Sequence, residues 1–131
     1  MNVTLAFILF FSMIFCHILD DYFLQGMCLS NLKQRGWWEK NSPDDAYVKD
    51  YIAALVAHSF SWSFMIMLPW IIYAGVSLKF ALIAIPVNTI IHAIVDDLKA
   101  NKHKLNLIQD QLIHLAQIVV TFIACFVEIV V

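Results

Sequence analysis

The chain has 131 residues, of which 62% are hydrophobic and 14% are charged, and its mean hydropathy is +0.78. A soluble domain of this length is far less apolar, so the composition predicts an integral-membrane protein. The net charge of −2 and the pI near 6.1 argue against a nucleic-acid-binding protein, which would need a basic patch. The three cysteines form no CxxC pair and do not predict a disulfide framework.

Four apolar segments are each long enough to cross a bilayer, which takes about 20 residues of helix. The predicted helices cover residues 2–25, 50–74, 78–99 and 107–131, each to within a few residues. We therefore expect an all-α fold, an antiparallel bundle of four transmembrane helices, in one integral-membrane domain over residues 1–131. The first connection contains the breaker Pro43 and the pair Trp37-Trp38, which predicts a stretch in the headgroup region.

The basic residues predict the orientation. The first connection carries four Lys or Arg residues and the third carries three, whereas only Lys79 lies near the second. By the positive-inside rule both basic connections face the cytoplasm and both termini face the other side. We expect a location in a bacterial inner membrane, with membrane lipid around the chain and no nucleic acid as partner.

Two short segments pair a histidine with a carboxylate four residues away. His92 precedes Asp96, and Asp110 precedes His114, so the order is reversed in the second segment. On a helix, residues four apart leave the same face one turn apart. If the two helices run in opposite directions, the two histidines lie level with each other and so do the two aspartates. This arrangement is typical of a metal site in a helix bundle.

The first two predicted helices extend this pattern. His17 precedes Asp21 by four residues, and His58 is the only histidine of the second helix. A rise of about 1.5 Å per residue places all four histidines roughly 10–12 Å below the cytoplasmic end of the bundle. Ionisable groups are costly inside a bilayer unless they are paired, ligated or hydrated. The predicted metal ligands are His17, Asp21, His58, His92, Asp96, Asp110 and His114.

Seven ligands exceed the needs of one zinc ion, which is usually four-coordinate. They suit a centre of two divalent ions about 3.5–4 Å apart, held by bridging carboxylates. Zinc is our first expectation, and manganese or iron is also compatible with imidazole and carboxylate ligands.

The leading functional hypothesis is a membrane-embedded, metal-dependent hydrolase acting on an amphiphilic substrate, such as a lipid or lipid phosphate, at the cytoplasmic leaflet. Bound metals would activate water and polarise the scissile phosphoryl or carbonyl oxygen. Asp50 or Asp20 would serve as the general base. Lys99 or Gln25 would hold the substrate head group.

Four motifs follow one another along the chain. They are His17-Ile-Leu-Asp-Asp21-Tyr-Phe-Leu-Gln25, then His58, then His92-Ala-Ile-Val-Asp96-Asp97-Leu-Lys99, and finally Asp110-Gln111-Leu-Ile-His114. This series resembles a family of small bacterial and bacteriophage integral-membrane proteins of unknown function, and it covers essentially the whole chain. The family is distantly similar to membrane proteins described as metal-dependent hydrolases, so the resemblance implies hydrolysis.

Two other functions fit the same residues. A metal-ion or proton transporter would line its pathway with them, although the outer halves of the predicted helices are almost wholly apolar. Alternatively, the metal site would be structural and the protein non-catalytic. In that case a membrane-protein partner or a second copy of the chain would bind, with the loop around Trp37-Trp38 as the expected surface.

Overall fold

A computed structural model describes residues 2–42 and 44–130. The predicted break at Pro43 and the last residue of the fourth predicted helix, Val131, lie outside the described residues. Every regular element in the described part is helical. The elements are α1 (Val3–Ile18), which continues as a π-helical turn (Leu19–Leu24), α2 (Gly26–Leu32), α3 (Arg35–Asn41), a 3-10 turn (Asp45–Lys49), α4 (Asp50–Pro69), which continues as a second π-helical turn (Trp70–Ala74), α5 (Leu78–Ala100) and α6 (Leu107–Val130).

Four of these helices are long and apolar enough to cross a membrane, judged by length and composition. The four stretches are Val3–Leu24, Tyr47–Ala74, Leu78–Ala100 and Leu107–Val130. The prediction of an all-helical chain with four long apolar helices is therefore confirmed. The connection predicted between the first two helices is itself mostly helical, because it contains α2 and α3.

Short polar residues mark the ends of the long helices. The Asn2 side chain accepts a hydrogen bond from the backbone of Leu5 at 2.8 Å, and Ser77 does the same for Phe80 at 3.2 Å. Both satisfy amides that a helix start leaves free. Gly75, with a φ of 71°, ends the second long helix in the left-handed conformation that glycine adopts without strain. The sequence thus fixes the turn that separates α4 from α5.

Contacts between neighbouring long helices join residues whose numbers rise along one helix and fall along the other. Between α5 and α6 the bonded pairs are Ser77 with Glu128, Asn88 with Gln117, and Lys99 with Asp110. Between α1 and α6 the aromatic pairs are Phe10 with Phe122 and His17 with His114. α5 and α6 therefore contact each other from one end to the other.

The two short helices, α2 and α3, fold back across one end of the long helices, and we call them the α2–α3 strap. Asn101, just after α5, holds the strap with its side chain. Its oxygen accepts from the backbone amide of Arg35 at 2.7 Å, and its nitrogen donates to the backbone oxygen of Lys33 at 3.2 Å. The strap consequently lies next to the end of α5 that carries Asp96.

The interior is divided along the helices. At the end away from the strap, buried side chains are almost all apolar. They include Leu9, Met13, Ile66, Met67, Trp70, Ile118 and Cys125. Toward the strap the buried residues become histidines and aspartates. This division places a polar cluster on top of an apolar core.

Candidate metal centre

Each of the four long helices contributes one buried histidine to a single cluster. The ring centroids of His92 and His114 are 4.2 Å apart, those of His58 and His92 are 5.2 Å apart, and those of His17 and His114 are 6.0 Å apart. All four side chains are buried. The expectation that the histidines share one level of the bundle is confirmed by these distances.

Asp96 lies among three of the histidines. Its Oδ1 is 3.4 Å from Nε2 of His114 and 3.8 Å from Nε2 of His92. Its Oδ2 is 3.6 Å from Nε2 of His58. One carboxylate therefore faces three imidazoles with two different oxygens, which is the geometry that a bridging ligand needs.

Two further aspartates, Asp110 and Asp21, face the cluster. Oδ1 of Asp110 lies 3.4 Å from Nε2 of His114, and Oδ1 of Asp21 lies 3.4 Å from Nε2 of His58. Gln111 connects them, because its amide nitrogen donates to Asp110 at 3.1 Å and to Asp21 at 3.4 Å. The aspartates from α6 and from the turn after α1 are thus fixed relative to each other.

The π-helical turn after α1 brings two consecutive aspartates to the same histidine. Its hydrogen bond joins residues five apart: the amide of Gln25 donates to the carbonyl of Asp20 at 2.9 Å. In an α-helix Asp20 would point about 100° away from Asp21. Here Asp20 lies 3.4 Å from Nδ1 of His58 while Asp21 approaches Nε2. Single π turns occur frequently at functional sites.

Asp20 lies 3.4 Å from Nδ1, the rear nitrogen of His58, without a hydrogen bond between them. One oxygen faces Nδ1 of His58, and the other accepts a hydrogen bond from the Ser61 hydroxyl at 2.6 Å. A carboxylate on the rear nitrogen of an imidazole orients the ring and leaves its front nitrogen for a metal. Ser61, Asp20 and His58 form such a series, which sequence reasoning did not identify.

His17 is held differently from the other histidines. The indole of Trp62 donates a hydrogen bond to Nδ1 of His17 at 2.8 Å. Because an indole N–H can only donate, this ring nitrogen is the unprotonated one and its lone pair is occupied. The distance from the same nitrogen to Asp21 is 3.5 Å, too long for a competing hydrogen bond.

The donor set fits a divalent metal. Two groups of side chains bring their ligand atoms within 4.8 Å of one another. Two of the predicted ligands, His17 and Asp110, are in neither group. The groups are Asp21, His58 and His92, and His92, Asp96 and His114. Several buried polar atoms of the cluster have no hydrogen-bond partner. They are Oδ2 of Asp20, Oδ1 of Asp21, Nδ1 of His92, Oδ1 of Asp110 and both ring nitrogens of His114. Unpartnered buried atoms are costly, and a cation would satisfy those that face one another.

Two lysines contact the same carboxylates from the strap side. Lys33 is buried and donates to Oδ2 of Asp96 at 2.5 Å, and Lys99 donates to Oδ2 of Asp110 at 2.6 Å. With its amide oriented to satisfy both neighbours, Gln25 accepts from Lys33 at 2.7 Å. Lys99 holds Oδ2 of Asp110 and leaves Oδ1 directed at His114, whereas Oδ2 of Asp96, which Lys33 holds, also faces His58 at 3.6 Å.

Three of the four predicted catalytic residues reach the cluster. Asp20, Gln25 and Lys99 reach the cluster as described, whereas Asp50 is exposed in the first turn of α4. Sequence reasoning missed Lys33, which it treated only as a basic residue of the connection. The buried position of this lysine depends on the fold of the strap and left no local signal. Gln111, by contrast, is part of the Asp-Gln-x2-His motif.

The comparisons with known proteins found no match: no family model, no curated protein and no solved structure matches the chain. The resemblance suggested by the four motifs consequently stays a prediction.

Proposed function

We propose that this chain is a metal-dependent hydrolase embedded in a membrane as an antiparallel bundle of four transmembrane helices. Its site would face the cytoplasmic leaflet of a bacterial inner membrane, with both chain termini on the other side. The substrate would be an amphiphile whose head group carries the scissile phosphoryl or carbonyl group. The basic strap and the third connection favour this orientation.

The main support for the proposal is a set of buried metal-ligand atoms between the helices that have no hydrogen-bond partner. Oδ1 of Asp21, Oδ1 of Asp110 and Nε2 of His114 are buried, lack hydrogen bonds and face other ligand atoms. A bundle that needed only packing would place apolar side chains here, as the other half of the interior does. In hydrocarbon the cost of such atoms is several kcal/mol each, so their retention indicates a ligand.

The cluster offers places for two ions. One imidazole nitrogen binds one ion, so His92 serves only one of the two groups that share it. We assign Asp21, His58 and His92 to the first ion and His114 and Asp110 to the second, with Asp96 facing both. Zinc is the first choice, and manganese or iron would also accept these ligands.

Bound divalent ions would supply Lewis-acid polarisation of a phosphoryl or carbonyl oxygen and would lower the pKa of a water molecule to about 7. The chain's own residues keep the ligands in place. Lys33 and Lys99 each hold Oδ2 of one aspartate, Asp96 and Asp110 respectively. Gln111 links Asp110 to Asp21. Lys99 is 34% exposed, so its ammonium can also reach an anionic head group at the mouth of the site.

We assign His17 and Asp20 to positioning roles. The Trp62 indole occupies the Nδ1 lone pair of His17, so the other ring nitrogen carries the proton of the neutral imidazole. Asp20 orients His58 and is itself held by Ser61. The assignment of Asp50 as general base stays a prediction, and this residue is exposed at the start of α4.

Transport is the less favoured function. A pathway needs two openings, and the half of the interior away from the strap is filled by side chains such as Trp70, Met67 and Ile118, all fully buried. The division of the interior supports a site that opens on one side.

The proposal is tested by turnover of phosphorylated and acylated amphiphiles by the purified protein in mixed micelles, before and after chelation and metal reloading. We expect hydrolysis that chelation abolishes and reloading restores. His58→Asn should remove it, while His103→Asn, an identical change in an exposed residue with a φ of 51°, should not. Turnover unaffected by chelation and by His58→Asn would sink the proposal.

A further inference from the structure

One tryptophan contacts three of the four clustered histidines. Trp62 belongs to α4 and is fully buried. Its ring centroid lies 4.3 Å from that of His92, 5.6 Å from that of His114 and 5.8 Å from that of His17. These histidines belong to α5, α6 and α1. A single side chain of α4 therefore joins histidine rings from the other three long helices.

Trp62 also belongs to the apolar core. It follows His58 on α4 by four residues, which places it one helical turn, roughly 6 Å, farther from the strap. The buried apolar cluster to which it belongs includes Ile66, Met67 and Trp70. The indole is consequently shared between the apolar half of the interior and the polar cluster.

Two of the histidines lack the hydrogen bond that usually orients a metal ligand. A metal-ligating histidine donates its other ring N–H to a carboxylate, a carbonyl or a water molecule. In the described part of the chain, Nδ1 of His92 and Nδ1 of His114 have no such partner. The ring of His92 is instead stacked on Trp62, with 27° between the planes, and on His114, with 23° between the planes. Ring stacking thus takes the place of a hydrogen bond in holding His92.

The same indole holds the third histidine by a hydrogen bond. Its N–H donates to Nδ1 of His17 at 2.8 Å. This bond selects the neutral tautomer that carries its proton on Nε2. The tautomer and the ring orientation of His17 are therefore set beside His114, whose ring centroid lies 6.0 Å away.

Stacking on an indole favours the metal-bound form of His92. A divalent ion withdraws electrons from the imidazole that binds it, and the electron-rich face of an indole attracts positive charge. The attraction between the two rings is consequently stronger when His92 binds a metal ion. An interaction that differs between two states shifts the equilibrium toward the state that it favours. Trp62 should therefore raise the metal affinity in addition to stabilising the fold.

We propose that Trp62 is a positioning residue of the metal centre. It orients His92 by direct stacking and His114 through His92, and it sets the tautomer of His17 by its hydrogen bond. The inference rests on the proposed function, which assigns metal ions to the cluster. It adds a residue that sequence reasoning did not select and that binds no ion itself.

Trp70 offers a matched comparison. It lies on the same long helix, eight residues after Trp62, and is also fully buried. Its indole N–H donates to Sδ of Met13 at 3.0 Å within the apolar core. A change at Trp70 therefore removes a comparable buried indole and hydrogen bond without touching the interactions that hold His92 and His17.

The test measures zinc affinity by competition with a chelator, using the full chain in micelles. Trp62→Phe removes the N–H and keeps an aromatic ring, so the affinity should fall about three- to tenfold, the value of one hydrogen bond. Trp62→Leu removes both contacts and should lower it about 10–100-fold. Trp70→Phe should keep the wild-type affinity even where its melting temperature falls. The two Phe variants decide the question if Trp62→Leu does not fold.

Two spectra distinguish positioning from a general loss of stability. In the metal-free protein, nitrogen NMR of the histidine side chains should show a single tautomer of His17 in the wild type and a mixture in Trp62→Phe. In the cobalt-loaded protein, the ligand-field absorption bands should shift in Trp62→Phe and stay unchanged in Trp70→Phe.

A wild-type zinc affinity in Trp62→Phe, or an equal loss of affinity in Trp70→Phe, would overturn the inference. Either result, obtained with a wild type that binds zinc, contradicts the positioning role alone. A wild type that binds no zinc contradicts the proposed function and, with it, this inference.

Discussion

At the scale of single residues, the four histidines have different surroundings. Nε2 of His114 lacks a hydrogen bond and faces Asp96 and Asp110. Nδ1 of His17 is already bonded to Trp62. Nε2 of His114 is therefore free to bind a cation, whereas Nδ1 of His17 is not.

This difference predicts different metal losses. His17→Asn should keep about two ions per chain, bound 10–100-fold more weakly, which is the usual effect of losing a residue that orients ligands. His114→Asn should lose the ion assigned to Asp110. Metal content and affinity of both variants, measured by elemental analysis and competition with a chelator, check the assignment. The reverse order of losses would contradict it.

The sequence was sufficient to bring together His92, Asp96, Asp110 and His114. The spacing of four puts each pair on one helical face, and opposite helix directions make the faces meet. It was not sufficient for Asp20, which lies in a π-helical turn and faces Nδ1 of His58 on a different helix. Nor could it place Lys33, whose contact with Asp96 joins residues 63 positions apart.

At the scale of elements, the α2–α3 strap closes the end of the bundle nearest the cluster. Asn101 bonds it to α5 at two backbone positions, and Lys33 reaches inward to Asp96. The sequence predicted an interfacial stretch here from the pair Trp37-Trp38. In the structure both tryptophans belong to helix α3. The Trp38 indole donates to the backbone oxygen of Leu32, at the end of α2, at 2.7 Å.

The strap also offers a test of orientation. Cys28 on α2 is exposed, whereas Cys125 is buried. A membrane-impermeant maleimide should label Cys28 in inside-out vesicles and leave it unlabelled in right-side-out vesicles, because the basic strap is expected on the cytoplasmic side. Cys28→Ser should remove the labelling. Labelling of Cys28 from the opposite side would reverse the proposed topology.

At the scale of the whole molecule, one half of the interior is apolar and the other is charged. Within the cluster four carboxylates, those of Asp20, Asp21, Asp96 and Asp110, face two ammonium groups, those of Lys33 and Lys99. This excess of negative charge in a low-dielectric interior is unfavourable unless cations are added. The overall composition predicted the apolar exterior. Only the packing of the four long helices shows that the charged residues are concentrated in one half of the interior.

Metal analysis of the purified protein measures directly whether this cluster binds divalent ions. After equilibration with zinc, manganese or iron(II), the wild type should retain about two ions per chain. Asp96→Asn should retain at most about one, because Asp96 is the carboxylate that faces both sides of the cluster. The matched change Asp97→Asn should keep both ions, since Asp97 bonds to Lys102 at 2.8 Å and to Asn101 at 3.0 Å outside the cluster. A folded wild-type protein that retains no divalent ion would contradict the account.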